Sequence, residues 1–374
     1  MNITFVSDSV YPYNKGGKEK RLYELSKRLS DLGHDVHIYT MHWWNGKEQT
    51  VVEEGVQLHA ISKYYPMYVG DKRSIREGIM FGLACLKLLR VRFDVLDVDH
   101  MPFFPIYSAW LVCTLRGRKF HGTWHEALTR KDWKEYMGRA GFIAAVIERV
   151  SIHLPDYVTA ASSHTQTLIA SELKRTRNVG LVASGIDIAS IAAVRPAKQD
   201  IDVLYVGRLV KDKHIDKMVQ ATSIVAQTHP ALRVTIIGHG VERENIQKQI
   251  ADLHLQKHIQ LLEPLPDAED VYAYMKASRM FCLPSSREGF GIVALEALGC
   301  GTPVITTDYP ANAAKDLISE GQNGSVVAGT PEAIAAAITH WLEAAAVARK
   351  AIANGVKQYD WNALARRQAA LYSS

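Results

Sequence analysis

The chain has 374 residues, 47% hydrophobic and 22% charged, with a formal net charge of +5. That length accommodates two domains, each with a core of its own, and the composition excludes a disordered or fibrous chain. No apolar run is long enough to span a bilayer, and no basic start with an apolar signal core precedes the first strand.

The elements follow in chain order. Ile3-Thr-Phe-Val6 reads as an apolar strand. Lys18 to Leu32 carries Leu22, Leu25 and Leu29 at helical spacing, and Gly33 ends that helix. Further strands are predicted at residues 35–40, 95–98, 119–123, 157–161 and 179–182, with helices between them. The second half repeats the pattern, with strands at 202–206, 233–237, 258–262, 280–283, 304–306 and 325–327. Its helices fall near 215–227, 241–253, 268–277, 292–299 and 331–343. Alternating strand and helix implies parallel sheets covered on both faces. The expected fold is therefore α/β, with two Rossmann-like domains facing a cleft. The boundary is placed at residues 183/184, in or beside the segment Gly185 to Gln199, and the second domain ends near residue 358. A last helix, Trp361 to Tyr372, has no strand after it.

The basic excess is uneven. Residues 1–178 hold 25 Lys and Arg against 19 Asp and Glu, and the remainder holds 19 against 20. A solvated basic face is the plain reading. The sharper expectation is a half that meets an anionic membrane surface or a phosphate-bearing acceptor. His42-Trp43-Trp44 and the basic-aromatic segment Arg130 to Met137, with Trp133, are its candidate contacts. Cys85, Cys113, Cys282 and Cys300 are far apart in apolar segments. Buried thiols in a reducing compartment are expected, not disulfides or a zinc site. The expected location is cytoplasmic, at most peripheral at the inner face of the membrane.

The most specific string is Glu288-Gly289-Phe290-Gly291-Ile292-Val-Ala-Leu-Glu296. Glu288 is placed on a strand-to-helix loop and Glu296 about two turns into the helix. In a doubly wound sheet that loop lies at the carboxyl edge of the strands, where ligands bind. Its glycines let the backbone approach a ligand, and the N–H groups of a helix start cradle hydroxyls or an anion. A carboxylate accepts two hydrogen bonds and suits vicinal hydroxyls. Arg208 and Lys213 follow the first strand of the second half and suit a diphosphate. Gly16-Gly17 stands between the first strand and the first helix. His125 follows the strand predicted over 119–123.

This string resembles the glutamate-seven-glutamate signature of the retaining GT-B glycosyltransferases of family four. Gly207-Arg208-Leu-Val-Lys211-Asp-Lys213 resembles that family's Gly-Arg-Leu-x-x-x-Lys-Gly pattern and departs from it at His214, where glycine is usual. His125-Glu126 matches its His-Asp or His-Glu pair, so the histidine role falls on His125 and not on His121. The resemblance runs from Gly16-Gly17 to Trp361. It implies that Arg208 and Lys213 hold donor phosphates, that Glu288 contacts the donor sugar and Glu296 the ribose, and that Gly16, Gly17, Gly289, Phe290, Gly291 and Ile292 line the donor. It implies that His125 orders the reacting centre and that the last helix crosses back onto the N-terminal domain. The implied donor is a nucleoside-diphosphate hexose, a substrate, with no cofactor and no essential metal. The implied acceptor is a hydroxyl of a glycan or lipid-linked glycan. No nucleic-acid partner is expected. An epimerase of the same architecture and a non-catalytic sugar-nucleotide scaffold remain alternatives.

Overall fold

The computed structural model describes residues 1–14, 16–69, 72–344 and 348–373. The chain divides into two compact units, Met1–Ser184 with Trp361–Ser374, and Gly185–Asp360.

The first unit runs β1 (Asn2–Val6), α1 (Gly17–Asp31), β2 (Asp35–Met41), β3 (Thr50–Glu53), β4 (Val56–Ser62), β5 (Tyr68–Val69), β6 (Lys72–Arg73), α2 (Ile75–Ala84), β7 (Val95–Asp99), α3 (Phe104–Arg116), β8 (His121–Trp124), α4 (Arg130–Met137), α5 (Gly141–Ser151), β9 (Tyr157–Ala160), α6 (Ser163–Ser171) and β10 (Val179–Leu181). Its eight-stranded sheet has the order β10-β9-β8-β7-β1-β2-β4-β3. All neighbours are parallel except β3 with β4. The central strands are buried on both faces, which is why they read as apolar runs.

The β3–β4 hairpin was absent from the sequence reading. Its two-residue turn, Glu54-Gly55, has φ of 45° and 82°, a conformation usually announced by Asn-Gly or Asp-Gly. A glutamate in the first position hides that signal. The tryptophans also differ from expectation. Trp44 is buried, with its Nε1–H donated to the Glu48 carbonyl at 2.7 Å, and half-buried Trp43 donates to the Asp8 carbonyl at 2.9 Å. Trp133 is buried as well, on a buried Glu148 carboxylate at 2.5 Å. None of the three leaves its indole N–H free for an interface, because each donates to an acceptor within the first unit.

The second unit runs α7 (Ile188–Ala193), β11 (Ile201–Val206), α8 (Ile215–Ala226), β12 (Val234–Ile237), α9 (Arg243–Asp252), β13 (Ile259–Leu262), α10 (Ala268–Ala277), β14 (Ser278–Leu283), α11 (Ile292–Gly299), β15 (Val304–Thr307), β16 (Gly324–Val327), α12 (Pro331–Glu343) and α13 (Arg349–Asn354). Its six strands are all parallel, in the order β13-β12-β11-β14-β15-β16.

The last helix, α14 (Trp361–Tyr372), belongs to the first unit. Trp361 is fully buried with Leu25 of α1 and Val182, and Tyr372 donates its hydroxyl to Asp97 at 2.5 Å. The four cysteines are buried and unpaired. Burial pushes the Cys113, Cys282 and Cys300 thiols up to about 12. Among the described residues no helix is long and apolar enough to cross a membrane.

Candidate active site

In each unit the strand order reverses at the middle of the sheet. Strands β11, β12 and β13 step one way, and β14 returns to the other side of β11. The loops after β11 and β14 therefore leave the sheet side by side at its carboxyl edge, the place where ligands bind in open parallel sheets. Lys213 ends the first loop and Glu288 lies in the second. Their side chains meet, Lys213 Nζ standing 2.7 Å from Glu288 Oε1. Lys213 also lies 3.4 Å from the Arg287 carbonyl, and the Ser286 N–H reaches the Asp212 carbonyl at 2.8 Å, so the loops are tied together twice.

The backbone of Glu288 is held from the far side. Its N–H donates to the Ala311 carbonyl, and the Ala313 N–H donates to its own carbonyl, each at 3.0 Å. Between them stands Asn312, wholly buried. Its amide nitrogen bonds the Thr307 carbonyl at 2.8 Å and its oxygen accepts from the Ala314 N–H at 3.1 Å. Asn312 is a positioning residue that the sequence reading missed, and a lone asparagine after a strand carries no pattern that would have found it.

Gly291 precedes α11 with φ of 88°, and an added Cβ would lie 2.5 Å from the Ala314 Cβ. Only glycine satisfies both conditions. Ile292 opens the helix, and the first intrahelical bond is from Leu295 to the Gly291 carbonyl. The N–H groups before it are the unpaired donors of a helix start. Gly289 lies in the same loop, and Phe290 meets the Tyr359 ring edge-on at 5.8 Å. Glu296 is the fifth residue of α11, little more than one turn in rather than two. It is buried, with the Tyr272 hydroxyl 3.3 Å away.

Arg208 is exposed, its carbonyl bonded by the Tyr205 hydroxyl at 2.9 Å. His214, where glycine is usual in the family, is itself left-handed, with φ of 49° and ψ of 42°, a conformation that favours glycine. Its ring stacks on Tyr309 at 5.6 Å, and burial followed by the Lys217 charge lowers its pKa. The segment at Glu263 pairs with Arg243 at 2.9 Å and His239 at 3.4 Å.

The first unit carries a second constellation, again where the order reverses, between β1 and β7. Asp8 follows β1 and Asp99 ends β7. Lys18, in the first turn of α1, lies 2.5 Å from Asp8 and 3.7 Å from Asp99. Arg73 closes on Asp8 from β6 and stands 4.0 Å from Glu77. Burial alone would raise the Asp8 carboxyl, but Lys18 and Arg73 outweigh it and hold it low. Glu77 has no such excess of cations. Burial, then the Asp8 charge, pushes it up to about 7. Both of its oxygens lack a hydrogen-bond partner among the described residues.

His125, just beyond β8, puts Nε2 2.7 Å from Asp99 Oδ1. Burial opposes ionisation of Asp99, and His125 and Lys18 overcome it, so the carboxyl lies far below its ordinary range. With Nε2 turned to Asp99, Nδ1 is the ring nitrogen left for a ligand. His121 is set apart from this group and meets the Tyr372 ring edge-on at 4.9 Å. Gly16 and Gly17 are exposed at the start of α1, directly before Lys18. The sequence reading missed Asp8, Lys18, Arg73, Glu77 and Asp99. The available signal was the pair Asp97 and Asp99 in an otherwise apolar strand.

Among the described residues no group of three His, Cys, Asp or Glu is poised to hold a metal ion. Two family models match the chain: "Glycosyltransferase Family 4" over residues 15–190 and "Glycosyl transferases group 1" over residues 188–358. Glycogen synthase of Mycobacterium tuberculosis is 25% identical over 396 residues, covering 100% of this chain and 94% of the relative. Among solved structures, the sucrose-phosphate synthase of Thermosynechococcus elongatus superposes with a TM-score of 0.83 at 19% identity, covering 100% of this chain and 98% of that one. Anabaena HepE in complex with UDP superposes with a TM-score of 0.76 at 19% identity, each chain covered to 100%. With both halves matched and the two-unit parallel α/β fold in place, the chain belongs to the family-four glycosyltransferases of GT-B fold, enzymes that use nucleotide sugars.

Proposed function

We propose that this protein is a retaining hexosyltransferase. It moves a hexose from a nucleoside-diphosphate sugar to a hydroxyl of a glycan or lipid-linked glycan, in the synthesis of a cell-envelope polysaccharide or glycolipid. The observation that carries the reading is the Lys213–Glu288 pair at 2.7 Å, beside the open N-terminus of α11. A sugar diphosphate presents an anion next to hydroxyls, and a cation next to a carboxylate is its complement.

In this reading Arg208, Lys213 and the N–H groups of Ile292 and Val293 neutralise the leaving diphosphate, without a metal. Glu288 accepts from donor-sugar hydroxyls, with Gly289, Phe290 and Gly291 shaping the loop around them. Glu296 accepts from the ribose. Gly16 and Gly17 give the backbone close approach to a ligand. His125, oriented by Asp99, hydrogen-bonds the sugar's C6 hydroxyl through Nδ1. The acceptor oxygen attacks the anomeric carbon from the face that the diphosphate leaves. The C–O bond to phosphate breaks, and the departing phosphate oxygen takes the acceptor proton. HepE, whose solved complexes include UDP with glucose, supports this donor class.

Slow donor hydrolysis, in which water replaces the acceptor, tests the stereochemistry. Proton NMR of the first product formed at high enzyme concentration, before mutarotation equilibrates it, should show the free hexose in the donor's own anomeric form. First release of the opposite anomer would overturn the retaining assignment.

A further inference from the structure

Helix α5 leaves one side bare. Phe142 is 69% exposed, Ile143 62%, Val146 46% and Val150 47%. Their spacing puts all four within one arc of the helix surface. The helix cannot roll to hide them. Its inner side is fixed by Glu148, whose buried carboxylate accepts from Trp133 Nε1 at 2.5 Å, and by the Ile147 carbonyl, which accepts from the Tyr107 hydroxyl of α3 at 3.0 Å. Four large apolar side chains together on a fixed face mark an interaction surface.

The border of this face is cationic. A shallow groove runs beside it, lined by Phe142, Ala145 and Val146 on one side and by Arg130 and Arg149 among its other residues, with Glu172 its one carboxylate. Exposed Lys134 on α4 and exposed Arg139 in the connection from α4 to α5 lie close by in sequence. An anion with an apolar body, such as the phosphate and upper acyl chain of a lipid, matches guanidinium groups beside Phe142 and Val146. A second copy of this chain does not. A two-fold contact through this face would bring two net cationic borders together, a like-charge cost.

We propose that α5 lies on the surface of an anionic bilayer, with Phe142 and Ile143 in the boundary between headgroups and acyl chains and with Arg130 and Arg149 on lipid phosphates. This deepens the reading of a lipid-linked acceptor. It is tested without donor or acceptor, so its failure leaves the sugar-transfer reading standing.

The test is sedimentation of the full chain with vesicles of phosphatidylcholine alone, or with half of it replaced by phosphatidylglycerol. The protein should follow the anionic vesicles at low salt and be released as salt rises. The double variants Phe142→Ser with Ile143→Ser, and Arg130→Ser with Arg149→Ser, should each lower the bound fraction about tenfold at an unchanged melting temperature. As a check independent of those variants, Phe142→Trp should give a blue-shifted emission that brominated phosphatidylglycerol quenches. Equal recovery with neutral vesicles would overturn the proposal, as would full binding by both double variants. A dimer that dissociates in the Phe142→Ser, Ile143→Ser variant, with no vesicle binding by the parent, would assign the face to a second copy instead.

Discussion

Lys213 and Glu288 are 75 residues apart in the chain and 2.7 Å apart in the fold. The strand order explains how. β11 and β14 are parallel neighbours at the point where the strand order reverses, so the loops that leave their carboxyl ends lie side by side. The same reversal between β1 and β7 brings Asp8, Lys18 and Asp99 together in the first unit.

Lys213→Ala should lower sugar transfer by about a hundredfold or more if the ammonium neutralises the leaving diphosphate. Steady-state release of nucleoside diphosphate, alongside a melting curve to establish folding, measures it. Near-normal turnover in a folded variant would remove Lys213 from the donor site.

The two glutamates of the motif should separate by ligand. Glu296→Ala is expected to weaken the free nucleoside diphosphate, and Glu288→Ala the intact sugar donor while leaving the nucleotide nearly unchanged. Calorimetric titration of both ligands into both variants decides between this division and a shared role.

Much of this was legible in the sequence because the relevant signals are local. The glycines around Glu288, the helix from Ile292 and the apolar strand from Phe281 announce a strand-loop-helix turn without knowledge of the fold. What holds Glu288 in place was not legible, since Asn312 acts only through the parallel neighbour β15. The Asp8–Lys18–Arg73 cluster was hidden for the same reason: its members are single charged residues brought together by strand order. The tryptophans misled in the opposite direction. Trp44 and Trp133 look like interface residues beside lysines and arginines, yet each finds an internal acceptor for its indole N–H.

Asp99 should act through His125. Replacing it by asparagine removes the negative charge beside Nε2 while keeping the size of the side chain. Turnover should fall about tenfold or more. His125→Asn should show the same loss, and the double variant should add little to either single one. Fully additive losses would mean that the two residues act separately.

Glu77 predicts a pH dependence of stability. Its folded pKa of about 7 lies above the ordinary glutamate value of 4.5, because burial and then the Asp8 charge disfavour the carboxylate. The folded state therefore holds a proton that the unfolded chain releases first. This group's contribution is fully present below the unfolded value and is lost as the pH rises through about 7. Urea denaturation of the parent and of Glu77→Gln at pH values on either side of that window should show the parent losing more stability toward alkaline pH. Parallel slopes for the two proteins would contradict it.

The C-terminal helix should be structural. Trp361 is fully buried against Leu25 and Val182. Trp361→Ala should cost about 3–5 kcal/mol of the stability of the first unit, as removal of a buried aromatic side chain does. Urea titration followed by a probe in that unit, with a loss below about 1 kcal/mol as the contrary result, would check it.

The central claim is that the site at the carboxyl ends of β11 and β14 binds a nucleoside-diphosphate sugar. Calorimetric titration of the full chain with UDP, GDP and ADP and with their hexose conjugates tests it most directly. The account predicts that one base is bound at micromolar to submillimolar concentration, that its sugar conjugate binds too, and that Lys213→Ala weakens both by about tenfold or more. A folded protein that binds none of these nucleotides, or whose nucleotide affinity is untouched by both Lys213→Ala and Glu296→Ala, would contradict it.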